Sequence, residues 1–127
     1  MKEDSLLPAI YLTQKLDIAV VGIGYPNEKS AIMATGYFKE NEIESLIDRK
    51  VAGELCMQFY DIYGDTAPYK DDNNVIGMDI SMLRSVPRSI GIAGGVEKLR
   101  AVRGAINGHY INTLITDIEC AEALISE

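Results

Sequence analysis

Two apolar spacings take turns along this chain, and their alternation predicts helices and strands in succession. Between Leu6 and Leu16 the residues Leu6, Ile10 and Leu12 recur at helical spacing. The run Ile18 to Gly24, IAVVGIG, is rich in β-branched residues and predicts a buried strand ending in glycines. Pro26, Asn27 and Glu28 mark a turn, Ser30 to Thr35 predicts a short helix, and Gly36 stops it. Glu42, Ile43, Leu46, Ile47 and Val51 then give helical spacing up to Gly53. Leu55 to Tyr60 is apolar and aromatic and predicts a strand, which the turn signal Asp61-Ile62-Tyr63-Gly64-Asp65 closes. Thr66 to Asn74 reads as polar loop, Val75 to Ile80 as a return strand, and Met82 to Val86 as a brief helix stopped by Pro87.

The segment from Ser89 to Asp117 orders a strand, a glycine pair, a helix and a second strand. Ile90, Ile92 and Ala93 fit a buried strand, and Gly94-Gly95 turns the backbone with no Cβ to hold a ligand off. The helix that follows buries Leu99, Val102 and Ile106 and ends at Asn107-Gly108. Ile111 to Ile115 makes the last strand, and Asp117 caps a closing helix that runs through Ile125. Lys98 stands in a first helical turn, where the dipole disfavours a cation by about a few tenths of a kcal/mol unless an anion is near. Free N–H groups at that helix start, with one ammonium, suit the oxygens of a phosphate ester. Strands separated by helices predict an α/β fold with a parallel sheet covered on both faces, in which ligands gather beyond the carboxyl ends of strands. By that rule Gly22 and Gly24 follow one strand, Asp61 another, and Gly94, Gly95 and Lys98 a third.

Four motifs stand in one order: VGIGYP at Val21 to Pro26, GELCMQFYDIYGD at Gly53 to Asp65, VIGMDISMLRSVP at Val75 to Pro87, and AGG with Lys98 followed by YIN-x-LITD at Tyr110 to Asp117. From about Ile18 to Leu124 the chain resembles the effector-binding domain of the SorC/DeoR-type bacterial sugar-responsive transcription regulators. The resemblance implies a Rossmann-like three-layer α/β/α fold with a mainly parallel sheet, related to sugar-phosphate isomerases and glucosamine-phosphate deaminases. The strands at 55 to 60 and 75 to 80 would add an antiparallel element. Residues 1–127 would form a single partial effector domain, with the helix-turn-helix and the first half of the effector domain absent from this chain. The resemblance also implies that Glu54 accepts a hydrogen bond from a sugar hydroxyl, for which an acceptor-only carboxylate is well suited. An exposed charge at a strand end is the alternative. Asp61 has the same implied role, against the alternative of a turn residue bonding its own backbone. Gly22-x-Gly24 reads equally as a tight turn, because no third glycine completes a dinucleotide fingerprint.

Composition narrows these readings. A length of 127 residues allows one small domain, and no apolar run approaches the roughly 20 residues of a membrane helix. With no signal-like start either, a cytoplasmic location without a membrane partner is expected. Nineteen acidic against twelve basic residues leave a net charge of −7, so operator DNA is expected to be reached only through an absent N-terminal domain. The exception is local: Arg84, Arg88, Lys98, Arg100 and Arg103 against Glu97 make the window 84–103 net +4, so the remainder carries −7 − 4 = −11. That window suits a small anion, although Arg84 can instead cap a helix end while Arg100 and Arg103 solvate a helix face. Cys56 and Cys120 are expected as reduced core residues. One histidine, two distant cysteines and scattered carboxylates such as Asp71-Asp72 provide no metal-ligand spacing, and no cofactor is expected. His109 and the serines Ser30, Ser45 and Ser85 lack sequence partners for catalysis.

Three functions follow. The first is a non-catalytic module in which a phosphorylated sugar closes a cleft and shifts how dimers or tetramers hold DNA. The second is a sugar-phosphate isomerase or aminosugar-phosphate deaminase, which requires an acid–base pair that the lone His109 is poorly placed to supply. The third is an assembly fragment making subunit contacts. An uncovered sheet edge predicts homo-oligomers for this chain.

Overall fold

A computed structural model describes residues 7–13, 15–27, 39–73 and 79–126. In chain order its elements are α1 (Leu7–Thr13), β1 (Ile18–Gly22), α2 (Glu40–Asp48), β2 (Gly53–Leu55), β3 (Gln58–Tyr60), β4 (Arg88–Ala93), α3 (Leu99–Asn107), β5 (Thr113–Thr116) and α4 (Ile118–Ile125). Three 3-10 turns lie at Ala67–Tyr69, Ile80–Ser85 and Val96–Lys98. The architecture is α/β. Strand β4 is central in a three-stranded parallel sheet of order β1-β4-β5, and β2 pairs with β3 in a separate antiparallel hairpin.

Small residues on β4 let the rest of the protein come close. Ser89, Gly91 and Ala93 face the core, and a Cβ on Gly91 would lie 2.8 Å from Ile23 and 3.0 Å from Ile111. Helix α3 buries Ala101, Val102, Gly104 and Ala105 in the same core as Ala19, Ala93, Leu55, Tyr60 and Tyr110. At Gly104 a Cβ would stand 2.6 Å from the Asp61 carbonyl, so only glycine lets the helix lie this near the hairpin. The Tyr60 hydroxyl donates to the Ala101 carbonyl at 2.7 Å, and Tyr110 donates to the Gly64 carbonyl, which fixes both loops to α3. A second, smaller core gathers Ile43, Leu46, Val51, Phe59 and Tyr69 between α2 and β3. There Arg49 bridges to Asp72 at 2.6 Å and donates to the Pro68 carbonyl at 2.8 Å.

Several sequence expectations need correction. The strand expected over Leu55 to Tyr60 is instead both arms of a two-residue hairpin turning at Cys56-Met57. Ile80, expected to end a return strand, begins a 3-10 turn, and 75–78 lie outside the described residues, as does the helix expected over Ser30 to Thr35. The Asn73 side chain pairs with Phe59, accepting its N–H at 2.7 Å and donating to its carbonyl at 3.1 Å. The stretch expected as polar loop therefore holds a buried Tyr69 and satisfies the free edge of β3. The sheet itself is covered on one face only by the described elements. Arg84 donates to the Gly108 carbonyl at 2.8 Å and lies over the Tyr110 ring, while Arg103 donates to the Leu124 carbonyl at 2.8 Å. Both serve helix C-termini, where a cation is favoured. Cys56 is exposed, not a core residue, and Cys120 is buried; both are free thiols.

Candidate functional site

Beyond the carboxyl end of β1 the chain stays extended for two residues. The Ile23 N–H donates to the Ile92 carbonyl at 2.9 Å, on the β4 side. Gly24 then points its N–H and carbonyl the other way, to Glu54, at 3.0 and 2.8 Å. This bridge lays the Glu54 side chain over Gly24 so closely that a Cβ there would overlap the carboxylate. Glu54 also accepts the Met57 N–H at 3.0 Å. Burial raises the Glu54 carboxyl above its usual range; the Met57 hydrogen bond and the charge of Lys98 pull the other way.

Strand β4 ends beside this bridge. Gly94 and Gly95 follow, Gly95 at φ 94°, a left-handed conformation that favours glycine, and then the turn Val96–Lys98 leads into α3. The Gly95 N–H, expected free for an anion, donates to Asp117 Oδ2 at 2.7 Å. Asp117 Oδ1 accepts the Cys120 N–H at 2.9 Å as the cap of α4, and the two backbone bonds hold its carboxyl below the usual range. The Glu97 carboxylate curls back over Gly95 as well. A role for Asp117 as an N-cap is visible in the sequence; its bond to Gly95 is not, because it joins loops 22 residues apart. Lys98 is half-buried, and among the described residues it makes no ion pair within 4 Å.

Thus Gly24, Glu54, Gly94, Gly95 and Lys98 meet at one end of the sheet. Asp61 does not join them. Its Oδ1 accepts the N–H groups of Tyr63 and Asp65, both at 2.9 Å, which is turn chemistry. Its carbonyl lies against Gly104, and Asn107 donates to the next carbonyl, Ile62, so Asp61 stands beside the C-terminal half of α3, roughly 9 Å along the helix from Lys98. His109 is exposed at that same far end. Gly22 is at the right end of β1 but turns to the uncovered face, with nothing within 4 Å of where its Cβ would be.

The mouth therefore brings together three carboxylates, Glu54, Glu97 and Asp117, and the Lys98 ammonium, which is near enough to Glu54 to act on its proton and makes no ion pair within 4 Å among the described residues. Glu54 and Lys98 can receive a ligand that presents hydroxyls to one side and an anion to the other. Among the described residues no group of three or more histidine, cysteine or carboxylate side chains could hold a metal ion.

A family model described as "Putative sugar-binding domain" matches residues 1–126. The sorbitol operon regulator of Klebsiella pneumoniae is 38% identical over 110 residues, covering 87% of this chain and 35% of that protein. The full-length crystal structure of that regulator superposes with a TM-score of 0.86 over 98% of this chain and 41% of its own. The deoxyribonucleoside regulator of Bacillus subtilis is 31% identical over 118 residues, covering 93% of this chain and 37% of that protein. A DeoR family transcriptional regulator from Listeria monocytogenes superposes with a TM-score of 0.89 at 25% identity, over 97% of this chain and 50% of that one. The chain thus spans between a third and two fifths of the length of the Klebsiella and Bacillus regulators. On the match over residues 1–126 and these relatives, the chain belongs to the sugar-binding domain family of SorC- and DeoR-type transcriptional regulators.

Proposed function

We propose that this chain is the effector-binding portion of a carbohydrate-responsive regulator and that its effector is a phosphorylated sugar. The observation that carries the reading is the Lys98 ammonium, in no ion pair within 4 Å among the described residues, near the half-buried Glu54 at the carboxyl ends of β1 and β4. Lys98 takes the phosphoryl group and Glu54 accepts a sugar hydroxyl. Gly94 keeps the approach open, while the Glu54 and Glu97 carboxylates lie over Gly24 and Gly95. Because Asp117 already occupies the Gly95 N–H, the phosphoryl group sits on the Lys98 side of the glycine pair, away from that carboxylate. Asp61 and Gly22 are left out of direct contact in this reading.

The site binds and does not turn over its ligand. The relatives are named as regulators, and His109 lies at the opposite end of α3 from Lys98. Ligand binding shifts a dimer or tetramer whose DNA-binding parts lie outside these residues, in the cytoplasm. No described helix is long and apolar enough to cross a membrane. A three-layer α/β/α sheet, completed by residues beyond this chain, is the fold in which the site works.

The test is thermal unfolding of the intact regulator against a panel of pentose and hexose phosphates. At a ligand concentration near 100 times Kd, binding adds about 2.7 kcal/mol to the folded state. The wild type is expected to rise in Tm with one sugar phosphate, and Lys98→Ala to lose most of that rise. An equal rise in both removes Lys98 from the site, and steady conversion of any sugar in the panel makes the protein an enzyme.

A further inference from the structure

A helix cap needs one oxygen, and Asp117 uses two. Its Oδ1 accepts the Cys120 N–H at 2.9 Å and closes the head of α4. Serine or asparagine would cap that helix as well. Its Oδ2 accepts the Gly95 N–H at 2.7 Å, in a loop 22 residues back along the chain, and the cap does not call for this bond. The strand register brings the two loops together: Ala93 pairs with Thr116 at the ends of β4 and β5, so Gly94-Gly95 and Asp117 leave the sheet side by side.

That second bond fills a place an anion would take. A backbone N–H at a glycine turn binds phosphate and carboxylate oxygens alike, and here a carboxylate of the chain itself holds it. The same Oδ2 lies 3.5 Å from where a Cβ on Gly94 would be, so it faces both glycines. The two hydrogen bonds hold the Asp117 carboxyl below its usual range, and the group is charged at neutral pH. The Glu97 carboxylate lies over Gly95 too, and the Glu54 carboxylate lies over Gly24. Against these three the mouth sets the Lys98 ammonium. A phosphoryl group brings about −1.5 to −2 at neutral pH, so Lys98 offsets part of one such charge and nothing of a second.

We propose that Asp117 is a specificity-determining residue of the sugar site: its carboxylate, bonded to the Gly95 N–H, closes the glycine pair to an anion, so the effector carries one phosphoryl group, seated at Lys98, and only hydroxyls elsewhere. This rests on the phosphate seat proposed at Lys98 and adds to it the number of phosphoryl groups. A bisphosphate fails twice. Its second phosphoryl group finds the Gly95 N–H already bonded, and it is repelled by Asp117 and Glu97. Hydroxyls meet no such difficulty, because they donate to carboxylate oxygens. The mouth thus selects by a clash of charge against the wrong ligand as well as by contacts to the right one. Asp117 and Glu97 are exposed, so the repulsion is strongest at low ionic strength.

The experiment is titration calorimetry of the intact regulator with pentose and hexose monophosphates, each beside the bisphosphate of the same sugar, at low and at high salt. The wild type is expected to bind one monophosphate roughly tenfold or more tightly than its bisphosphate at low salt, with a smaller ratio at high salt. Asp117→Ser keeps a cap for α4 and removes both the charge and the reach to Gly95. Its ratio is expected to fall close to unity, chiefly because the bisphosphate binds more tightly. Glu97→Gln, at an exposed position outside α4, is expected to lower the ratio in the same direction by a smaller factor. If Asp117 serves only as a cap, Asp117→Ser changes both affinities alike or not at all, and that outcome overturns the proposal. So does a wild-type regulator that takes the bisphosphate as tightly as the monophosphate; if Lys98→Ala then weakens both, the phosphate seat stands without the restriction. Binding of no phosphorylated sugar removes the seat and the restriction together.

Discussion

Glu54 holds a carboxylate in a half-buried place, and burial is the larger influence on its proton. A carboxyl raised in the folded state favours folding below its unfolded value, here 4.5, and loses that contribution as pH rises through the higher folded value. At neutral pH the charged group is therefore a net cost to the fold, a pattern common where a carboxylate serves a ligand. Glu54→Gln keeps an oxygen for the Met57 N–H and removes the charge. Its Tm is expected to exceed wild type by about a few degrees at pH 7, with the difference vanishing below pH 4.5, while sugar binding weakens. A Tm lower than wild type at pH 7 contradicts this account. Asp117 does not confuse the measurement, because its lowered carboxyl acts below 3.8, where its contribution is lost as pH falls. At this scale the glycine pair and Lys98 are marked in the sequence by a cation in a first helical turn, whereas Glu54 is singled out only through the family resemblance, because its bridge to Gly24 joins distant parts of the chain. The exclusion of Asp61 is not legible there, because it depends on which end of α3 the hairpin meets.

The hairpin is the element whose residues conceal it most. With two-residue loops, strand twist favours a turn with positive φ at both central positions, normally filled by Asn-Gly. Here Cys56 and Met57 take φ 53° and 63°. Neither is a turn-former, so the pattern from Leu55 to Tyr60 reads as one strand. Two side chains in left-handed conformations cost roughly 1 kcal/mol each or more. The core sustains the turn: Gly53 lies against α3, Leu55, Phe59 and Tyr60 are fully buried, and Glu54 accepts the Met57 N–H. Met57 also packs on the smaller core, but Cys56 is exposed and contributes little besides its strain. Cys56→Asn is expected to stabilise the chain by about 0.5–1 kcal/mol in urea unfolding, with an unchanged m-value. A loss of stability shows that the thiol makes a contact the turn depends on.

The two cores divide the molecule into parts of unequal strength. The larger takes β1, β4, α3 and α4 around Val102 and Tyr110; the smaller takes α2, β3 and the Ala67–Tyr69 turn around Leu46 and Phe59. The hairpin is shared, since Phe59 faces one core and Tyr60 the other. The parallel order of the sheet is legible in the alternation of strands and helices. The division is not, because apolar positions on α2 and α3 look alike until their partners are known. It has a dynamic consequence. Few buried side chains tie α2 to the rest, so its amides open at a free energy below that of global unfolding, while those of β4 and α3 exchange only when everything unfolds. Leu46→Ala leaves a cavity costing roughly 2–5 kcal/mol, enough to open the smaller core nearly freely. Native-state hydrogen exchange is then expected to show faster α2, β4 and α3 amides in Leu46→Ala, because global unfolding includes the smaller core, whereas Val102→Ala speeds β4 and α3 with α2 almost unmoved. The site straddles the boundary, with Glu54 on the shared hairpin and Lys98 at the head of α3, so a bound sugar that spans them should slow exchange in α2 as well as in β4. Protection of β4 alone would mean that the ligand never reaches Glu54.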